Sequence, residues 1–308
     1  MPHFTNIEDL DGQALRTILD GSAQRKAARA GRSRGALDDD APLSGRILAL
    51  LFELPSTRTR VSFNVGMRQL GGEVINLMGD EIQLGEREPV RDIARVLSRY
   101  VDAIMLRAVR HETLEEMVAY ATVPVINGLT AASHPCQFMA DVMTFEEHHG
   151  PIAGRRIAWS GDGNNMANTW IQGAAGLGFE LSLACPDELQ PDPEIVARVR
   201  DQGGRIELTS DPHQAVAGAD CVMTDTWVSM SDDPNSSRHN LLRPYQVDEA
   251  LLAEANDDAI FMHCLPAHRG EEMTEAVIEG PQSVVFDQAE NRLHAQKGVL
   301  LWCLGHEN

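Results

Sequence analysis

Positive charge, and lysine above all, is scarce in this chain of 308 residues. Twenty-six Lys and Arg residues face 46 Asp and Glu residues, which leaves a formal net charge of −20 at pH 7. The only lysines are Lys26 and Lys297. A chain this acidic repels the phosphate backbone of DNA and RNA, so we expect no nucleic-acid partner. The excess of acidic residues is better interpreted as a contribution to solubility.

Paired cysteines and long apolar runs are missing as well. The five cysteines are widely spaced, and none lies in a Cys-x-x-Cys pair. This pattern indicates neither a disulfide framework nor a zinc ribbon. No apolar run reaches the roughly 18 residues that cross a bilayer, and residues 1–20 lack the basic start of a secretory signal. We therefore expect a cytoplasmic protein with no membrane partner.

The chain does contain a regular alternation of short apolar runs and helical patterns. Continuous apolar strands alternating with helices are typical of parallel sheets covered on both faces. The length exceeds the size at which one core usually stops growing. The prediction is an α/β fold with two doubly wound parallel-sheet domains in tandem, linked by interdomain helices. Residues 1–134 plus 291–308 would form one domain, and residues 135–290 the other.

The predicted elements follow these patterns along the chain. Strands are expected at 47–52, 74–77, 103–106, 123–126, 157–160, 181–185, 206–208, 221–224, 260–263 and 284–286. The clearest helices are expected at 61–70, 91–100, 114–120, 135–148, 165–177, 193–201, 271–278 and 290–304. Residues 25–40, basic first and acidic at the end, are expected to form a solvated loop without a function.

The segment Ser56-Thr57-Arg58-Thr59-Arg60 lies where the first predicted strand gives way to a helix. Free N–H groups and the dipole of a helix N-terminus favour a bound anion. The hydroxyls add donors, and Arg58 adds a planar fork that matches phosphate or carboxylate. The segment lacks the glycine and lysine of a Walker A loop. The alternative is a capped helix with two surface arginines.

Further polar segments follow other predicted strands or open a predicted helix. In open α/β sheets, ligands bind at the carboxyl ends of the strands. Together with the anion site, these segments predict a ligand cleft between the two domains. They are Arg107, residues 134–137 (His-Pro-Cys-Gln), residues 161–165, residues 225–230 and residues 263–266.

Gly161-x-Gly163 invites comparison with a dinucleotide-binding loop. Such a loop needs a third glycine where this chain has Met166, so the signal is weak. Asn164 and Asn165 are consistent with an ordinary helix cap, or with amides that bind a ligand carboxylate. The dinucleotide interpretation stays a minor alternative.

Several single residues also have a plain structural alternative. Cys264 is either a reactive thiol or a small buried residue at a strand end. A metal held by His263, Cys264 and His268 has poor spacing, so no metal is predicted. His134 alone would be a capping or core histidine. Arg107 and Arg292 alone would be surface arginines in ion pairs.

Taken together, these motifs resemble the ornithine branch of the aspartate/ornithine transcarbamylase family. Ser-Thr-Arg-Thr-Arg at 56–60 and His-Pro-x-Gln at 134–137 are shared by transcarbamylases that bind carbamoyl phosphate. Asp-x-Trp-Val-Ser-Met at 225–230, His-Cys-Leu-Pro at 263–266 and the segment 286–294 resemble the ornithine-specific members. The resemblance runs from about residue 52 to 304, nearly the whole chain.

The resemblance implies transfer of the carbamoyl group from carbamoyl phosphate to the side-chain amine of ornithine, giving citrulline and phosphate without a cofactor. The first predicted domain would bind carbamoyl phosphate and the second ornithine. Carbamoyl phosphate would contact Ser56, Thr57, Arg58, Thr59, Gln83, Arg107, His134, Gln137, Cys264, Leu265 and Arg292. Ornithine would contact Asn165, Asp225, Ser229 and Met230. The residues implied in catalysis are Arg58, Arg107, His134, Asp225 and Cys264.

The family also implies a homotrimer, in which Gln83 reaches into the site of a neighbouring subunit. One departure is Ser231, where the family usually has a glycine in a loop that closes over the amino acid. Three alternatives stay open. The first is a carbamoyltransferase whose acceptor is putrescine, an acylated ornithine or aspartate. The second is a dehydrogenase, and the third is a binding protein without activity. The sequence is compatible with a role in arginine biosynthesis or in arginine breakdown.

Overall fold

A computed structural model describes residues 2–79, 84–85, 87–228 and 238–306. Four residues singled out above lie outside these ranges: Gln83, Ser229, Met230 and Ser231. Within the described residues the chain alternates strands and helices throughout, as the apolar pattern predicts.

All strand pairs in the two sheets are parallel. One sheet has the order β2-β1-β3-β4 and the other the order β7-β6-β5-β8-β9. In each sheet the chain first winds to one side and then crosses to the other. The predicted doubly wound α/β fold is confirmed. The strands are β1 Ile47–Phe52, β2 Glu73–Met78, β3 Ala103–Arg107, β4 Val125–Leu129, β5 Arg156–Ser160, β6 Glu180–Ala184, β7 Arg205–Thr209, β8 Cys221–Thr224 and β9 Ile260–His263.

Helices precede, separate and follow the strands. Those described are α1 Gly12–Ala28, α2 Thr57–Gln69, α3 Val90–Leu97, α4 His111–Tyr120, α5 Pro135–His149, α6 Asn165–Leu177, α7 Pro193–Asp201, α8 Pro212–Val216, α9 Arg238–Leu242, α10 Glu249–Leu252, α11 Glu275–Ile278 and α12 Val285–Cys303.

The chain divides into two compact units. Unit 1 comprises Met1–Ala140 with Glu290–Asn308, and unit 2 comprises Asp141–Ala289. Unit 1 contains the four-stranded sheet and unit 2 the five-stranded sheet. Helices α5 and α12 both run across the division, so the chain passes between the units within regular structure.

The strand predicted at 284–286 is wrong. Val285 begins α12, which therefore starts about one turn before the predicted residue 290. Only a single bridge joins Ser283 to Phe261 of β9. A run of three apolar residues is too short for periodicity to separate a strand from a helix start. Phe286, 63% exposed, would have been buried in the predicted strand.

Two helix starts also differ from the predictions. α2 begins at Thr57 and not at residue 61, so residues 57–60 are themselves helical and Ser56 is the cap. α11 begins at Glu275 because Thr274 caps it, accepting the N–H of Val277, while the predicted helix began at residue 271. In both cases a hydroxyl cap determines where the helix starts.

The solvated loop predicted at 25–40 is also wrong in part. Helix α1 continues to Ala28, and Asp38 is only 8% exposed. The carboxylate of Asp38 accepts hydrogen bonds from Lys297 Nζ at 3.0 Å and Arg29 Nη1 at 2.6 Å. Lys297 is fully buried and lies 259 residues further along the chain. The composition of residues 25–40 is typical of a loop, and it contains no information about a partner so far along the chain. The burial of Asp38 was therefore not predictable from this segment.

Candidate active site

The segment 56–60 forms the cap and first turn of α2. β1 ends at Phe52, and the Ser56 hydroxyl accepts the N–H of Thr59 at 3.4 Å. The N–H groups of the first turn therefore point out of the helix end, where the dipole favours an anion. The predicted change from strand to helix at this segment is confirmed.

A buried arginine joins this turn to two distant parts of unit 1. Arg292 of α12 is 3% exposed, and its Nη2 donates to the Thr59 hydroxyl at 2.9 Å. Its Nη1 donates to Oε1 of Gln137 on α5. The three segments that carry the family motifs of unit 1 therefore meet at one side chain. The burial of Arg292 does not fit the alternative of a surface ion pair.

His134 lies at the start of α5, where its carbonyl accepts the N–H groups of Gln137 and Phe138. The side chain is buried, and burial lowers its pKa well below 6.5. The nearby positive charges of Arg292, Arg107 and Arg58 lower this pKa further. The imidazole is consequently neutral near pH 7, and a neutral imidazole can donate one N–H hydrogen bond.

The lowered pKa of His134 predicts a specific loss of stability in acid. Well above pH 6.5 the imidazole is neutral in both the folded and unfolded states. As the pH falls below 6.5, the unfolded chain takes up a proton that the folded chain does not, so stability decreases. Relative to His134→Gln, the wild type should lose about 1 kcal/mol of unfolding free energy between pH 6.5 and 5.5. Urea unfolding at matched protein concentration measures this difference, and equal pH dependence in both proteins would contradict it.

Arg107 ends β3 and is 9% exposed. It is paired in register with Phe52, the last residue of β1, and its carbonyl accepts the N–H of Glu53. The carboxyl ends of β1 and β3 therefore place Arg107 and the α2 segment on the same edge of the sheet. With Arg58 and Arg292, this gives three guanidinium groups close enough to influence His134. Such a cluster suits a doubly charged anion.

Unit 2 has its own polar cluster at the carboxyl ends of three neighbouring strands. Asp225 follows β8, and its Oδ1 accepts the Cys264 S–H at 3.0 Å and the Thr226 N–H at 2.8 Å. Its Oδ2 accepts Nδ2 of Asn164 at 2.9 Å. Cys264 follows β9, and Asn164 follows β5. Asp225 is only 8% exposed and is held by three donors.

Asn164 is one of the three donors to Asp225, whereas the family resemblance assigns the next residue, Asn165, to ornithine. Asn164 is the cap of α6, and its Oδ1 accepts the N–H groups of Met166 and Ala167. Asn165 is the first helical residue after it. The preference of asparagine for the cap position was a sequence signal for Asn164, but it does not reveal the second bond to Asp225.

Cys264 is arranged as a hydrogen-bond donor. A thiol that donates to a carboxylate is protonated, and the nucleophilic form is the thiolate. The next residue, Leu265, has φ +59° and donates its N–H to His263 Nδ1 at 2.9 Å. The geometry therefore fits a substrate-contacting thiol better than a covalent nucleophile.

The ligand atoms of Asp225, His263 and Cys264 lie within 4.8 Å of one another. Both ring nitrogens of His263 are already engaged. Nδ1 accepts the Leu265 N–H, and Nε2 lies 3.2 Å from Oε1 of Glu272. This arrangement leaves no imidazole lone pair for a cation, so the three residues do not fit a metal site here.

The Gly161-x-Gly163 loop has a packing explanation. A Cβ atom at Gly163 would lie 2.2 Å from the backbone nitrogen of Pro191. The Gly163 N–H donates to the Leu189 carbonyl at 2.8 Å. Glycine is needed because the chain's own backbone approaches closely. The space beside Gly163 is occupied by residues 189–191 of the chain itself.

A narrow cavity of about 10 Å³ lies beside Thr224, Asp225, His263 and Cys264. A cavity of this volume holds roughly one water molecule. By itself, this cavity is therefore too small to hold an amino acid.

Two family models match the chain over almost its whole length. Residues 2–147 match the aspartate/ornithine carbamoyltransferase carbamoyl-P binding domain, and residues 153–303 match the Asp/Orn binding domain of the same family. The chain belongs to the aspartate/ornithine carbamoyltransferase family. The resemblance inferred from the motifs is confirmed.

Individual members of the carbamoyltransferase family are similar over their full length. Ornithine carbamoyltransferase of Cereibacter sphaeroides is 58% identical over 308 residues, covering 99% of this chain and 100% of the relative. That of Nitrobacter winogradskyi is 58% identical over 303 residues, covering 98% and 97%. The solved structure of the Pyrococcus furiosus enzyme has a TM-score of 0.92 at 44% identity, covering 98% of this chain and 97% of its own. The Burkholderia thailandensis structure has a TM-score of 0.90 at 41% identity, covering 100% of both chains.

As a member of this family, the chain is an enzyme of the carbamoyltransferase class. Among the described residues, no helix is both long and apolar enough to span a membrane.

Proposed function

We propose that the chain is an ornithine carbamoyltransferase, which transfers the carbamoyl group of carbamoyl phosphate to the side-chain amine of L-ornithine and releases citrulline and phosphate. The observation that carries the proposal is buried Arg292, which donates to Thr59 in the first turn of α2 and to Gln137 on α5. The positive charges of Arg58, Arg107 and Arg292 also act on buried His134. This set of donors suits a phosphate attached to a carbonyl.

The phosphate is proposed to bind at the first turn of α2. Ser56, Thr57 and Thr59 offer hydroxyls, and the backbone N–H groups of the first turn point toward the same end. Arg58 supplies a fixed positive charge with two parallel donors. Negative charge on the phosphate grows as the bond to the carbonyl breaks. Groups already aimed at that charge therefore stabilise the transition state more than the ground state.

The carbonyl end is proposed to face Arg107, His134 and Gln137. A donor pre-placed on the carbonyl oxygen makes the carbon more electrophilic and contributes roughly 3 kcal/mol to catalysis. A neutral His134 can donate one N–H hydrogen bond to the carbonyl oxygen, and it adds no further positive charge to the three arginines when no substrate is bound. The contact from Arg292 to Gln137 orients the amide for the same task.

Ornithine is proposed to bind the cluster in unit 2 through its amino groups and carboxylate. Asp225 is an acceptor-only carboxylate and suits an ammonium group, and Cys264 and Asn165 are placed at the ends of neighbouring elements. Ser229 and Met230 are proposed to complete this site, although they lie outside the described residues. The amine nitrogen attacks the carbonyl carbon, the carbon–oxygen bond to phosphate breaks, and the departing phosphate is a base able to take the amine's proton.

The relatives support ornithine as the acceptor. Proteins that are 56–58% identical over nearly the whole chain are named ornithine carbamoyltransferase. A buried carboxylate beside a neutral thiol also fits a basic amino acid better than aspartate, because a second carboxylate would be repelled.

Carbamoylation of four amines by the purified chain tests the proposal. With carbamoyl phosphate present, ornithine should be converted to citrulline with release of one phosphate per product. Putrescine, acetylornithine and aspartate should react at least about a hundredfold more slowly, since each lacks a charge that the site binds or adds one that it repels. Preference for another amine would be consistent with the proposed phosphate site but would refute ornithine as the acceptor. No turnover with any amine would refute the function as a whole.

A homotrimer in the cytoplasm completes the proposal. β2 is an edge strand of the four-stranded sheet, and its Ile75 is 43% exposed. Val61 on α2, the helix that packs on β2, is 50% exposed. An unpaired strand edge with exposed apolar side chains is a surface on which another chain can pair or pack. Light scattering on the purified protein should give three times the chain mass of 33.8 kDa.

A further inference from the structure

A second cluster of metal-binding side chains lies in unit 2, in the turn that follows β9. One ligand atom from each of His268, Glu271 and Glu272 lies within 4.8 Å of the others. All three residues belong to the turn 268–272, in which the Glu271 N–H donates to the His268 carbonyl at 2.9 Å. The backbone N–H of His268 donates to Oε1 of Glu272 at 2.6 Å. The turn therefore holds the three side chains close together by itself.

Glu272 is the unusual member of this cluster. Its side chain is fully buried, and its Oε2 has no hydrogen-bond partner among the residues that the structure describes. In the described part of the chain, every ion-pair partner of Glu271 and Glu272 is a histidine. A buried carboxylate is costly unless a positive charge or a metal compensates it. No lysine or arginine does so here, within the described ranges.

The histidines around the cluster hold the carboxylates in place. His263 accepts the Leu265 N–H at Nδ1, so a neutral ring carries its proton at Nε2, which faces Oε1 of Glu272 at 3.2 Å. His239 places Nε2 3.3 Å from Oε2 of Glu271. Hydrogen bonds of this kind orient carboxylate ligands around protein-bound metals.

We propose that His268, Glu271 and Glu272 form a binding site for one Zn²⁺ ion, separate from the proposed substrate sites. One imidazole and two carboxylates make a ligand set that zinc accepts in tetrahedral sites with an open position. Calcium and magnesium prefer oxygen ligands alone. The ion supplies the positive charge that buried Glu272 otherwise lacks.

The distances fit this assignment after a small adjustment. Ligands at zinc bonding distance lie roughly 3.4 Å apart in a tetrahedral site. His268 Nδ1 lies 3.7 Å from Oε1 of Glu272, and Oε2 of the same carboxylate, which has no partner among the described residues, is the oxygen left for the ion. The side chains of His268 and Glu271 are 50% and 40% exposed. They can therefore turn toward the buried Glu272, and the ion can enter from solvent.

An ion bound at this site would also influence the position of the neighbouring Cys264. Glu272 contacts His263, and His263 accepts the N–H of Leu265, so the two contacts flank Cys264. A bound ion that fixes Glu272 thereby positions the segment 263–265. The site is independent of the proposed enzyme activity, because binding is measured on the protein without substrates.

Titration of the full chain, stripped with a chelator, tests the site. Calorimetry with Zn²⁺ and the visible absorption of Co²⁺ should both give one ion per chain, with a Kd on the order of 1 μM or tighter. His268→Gln and Glu271→Gln should each weaken binding at least about tenfold. Both positions are exposed enough that the variants should fold, unlike a variant of buried Glu272, and thermal unfolding without metal checks this.

Two control variants separate this site from others. His213→Gln alters an exposed His–Glu pair of the same kind, since His213 Nδ1 lies 2.8 Å from Glu254 Oε1. Cys264→Ser removes the thiol beside Asp225. Neither should change the Kd for zinc by more than about twofold. Binding weaker than millimolar, binding lost in Cys264→Ser, or binding equally strong in His268→Gln would each overturn the assignment.

Discussion

Replacing Arg58 with alanine should lower kcat/KM for carbamoyl phosphate by roughly a thousandfold. The guanidinium is proposed to grip the phosphate in the ground state and to stabilise the charge that grows on it as it leaves. Loss of a charged donor aimed at developing charge costs roughly 3–4 kcal/mol of transition-state stabilisation. The folded state should change little, because Arg58 lies on the first turn of α2, where alanine is tolerated.

Steady-state kinetics with saturating ornithine measures this effect. Arg60→Ala is the matched control, because Arg60 belongs to the same helical turn and is exposed. It should retain activity within about threefold of the wild type, as expected for a surface arginine. Near-normal activity of Arg58→Ala, or an equal loss in both variants, would remove the central claim about the phosphate site.

Replacing Asp225 with asparagine should affect ornithine far more than carbamoyl phosphate. The substitution keeps the size of the side chain but removes the charge that is proposed to bind the ammonium group. Leaving a charged substrate group without its partner costs roughly 3 kcal/mol, so the KM for ornithine should rise about a hundredfold. The Kd for carbamoyl phosphate should stay within about threefold of the wild-type value.

Calorimetry with carbamoyl phosphate and kinetics with ornithine separate the two effects. Asp211→Asn is a suitable control, because Asp211 is exposed and caps α8 in the same unit. It should leave both substrates unaffected. Equal weakening of ornithine and carbamoyl phosphate by Asp225→Asn would count against the assignment of Asp225 to the amino acid.

Most of the secondary structure was predictable because it depends on local chemistry. β1, β8 and β9 begin and end at the predicted residues, since short apolar runs bounded by polar residues define buried parallel strands. α6 and α7 also match the predicted ranges, because Asn164 and Asp192 cap them. The errors fall where local signals conflict. Residues 284–286 are apolar like a strand but begin a long helix, and residues 25–40 have the composition of a loop.

The motifs alone determined the family and predicted the residues of the candidate site, because each motif is a short continuous segment with characteristic side chains. Only the tertiary structure decided which of those residues touch. Arg292 bonds Thr59 and Gln137 across 233 and 155 residues of chain, and Asp38 is buried by Lys297. Packing also produces the contact from Asn164 to Asp225. It likewise leaves Oε2 of Glu272 buried without a hydrogen-bond partner among the described residues. Such contacts depend on how strands and helices are brought together over long separations, and no local pattern of residues records that.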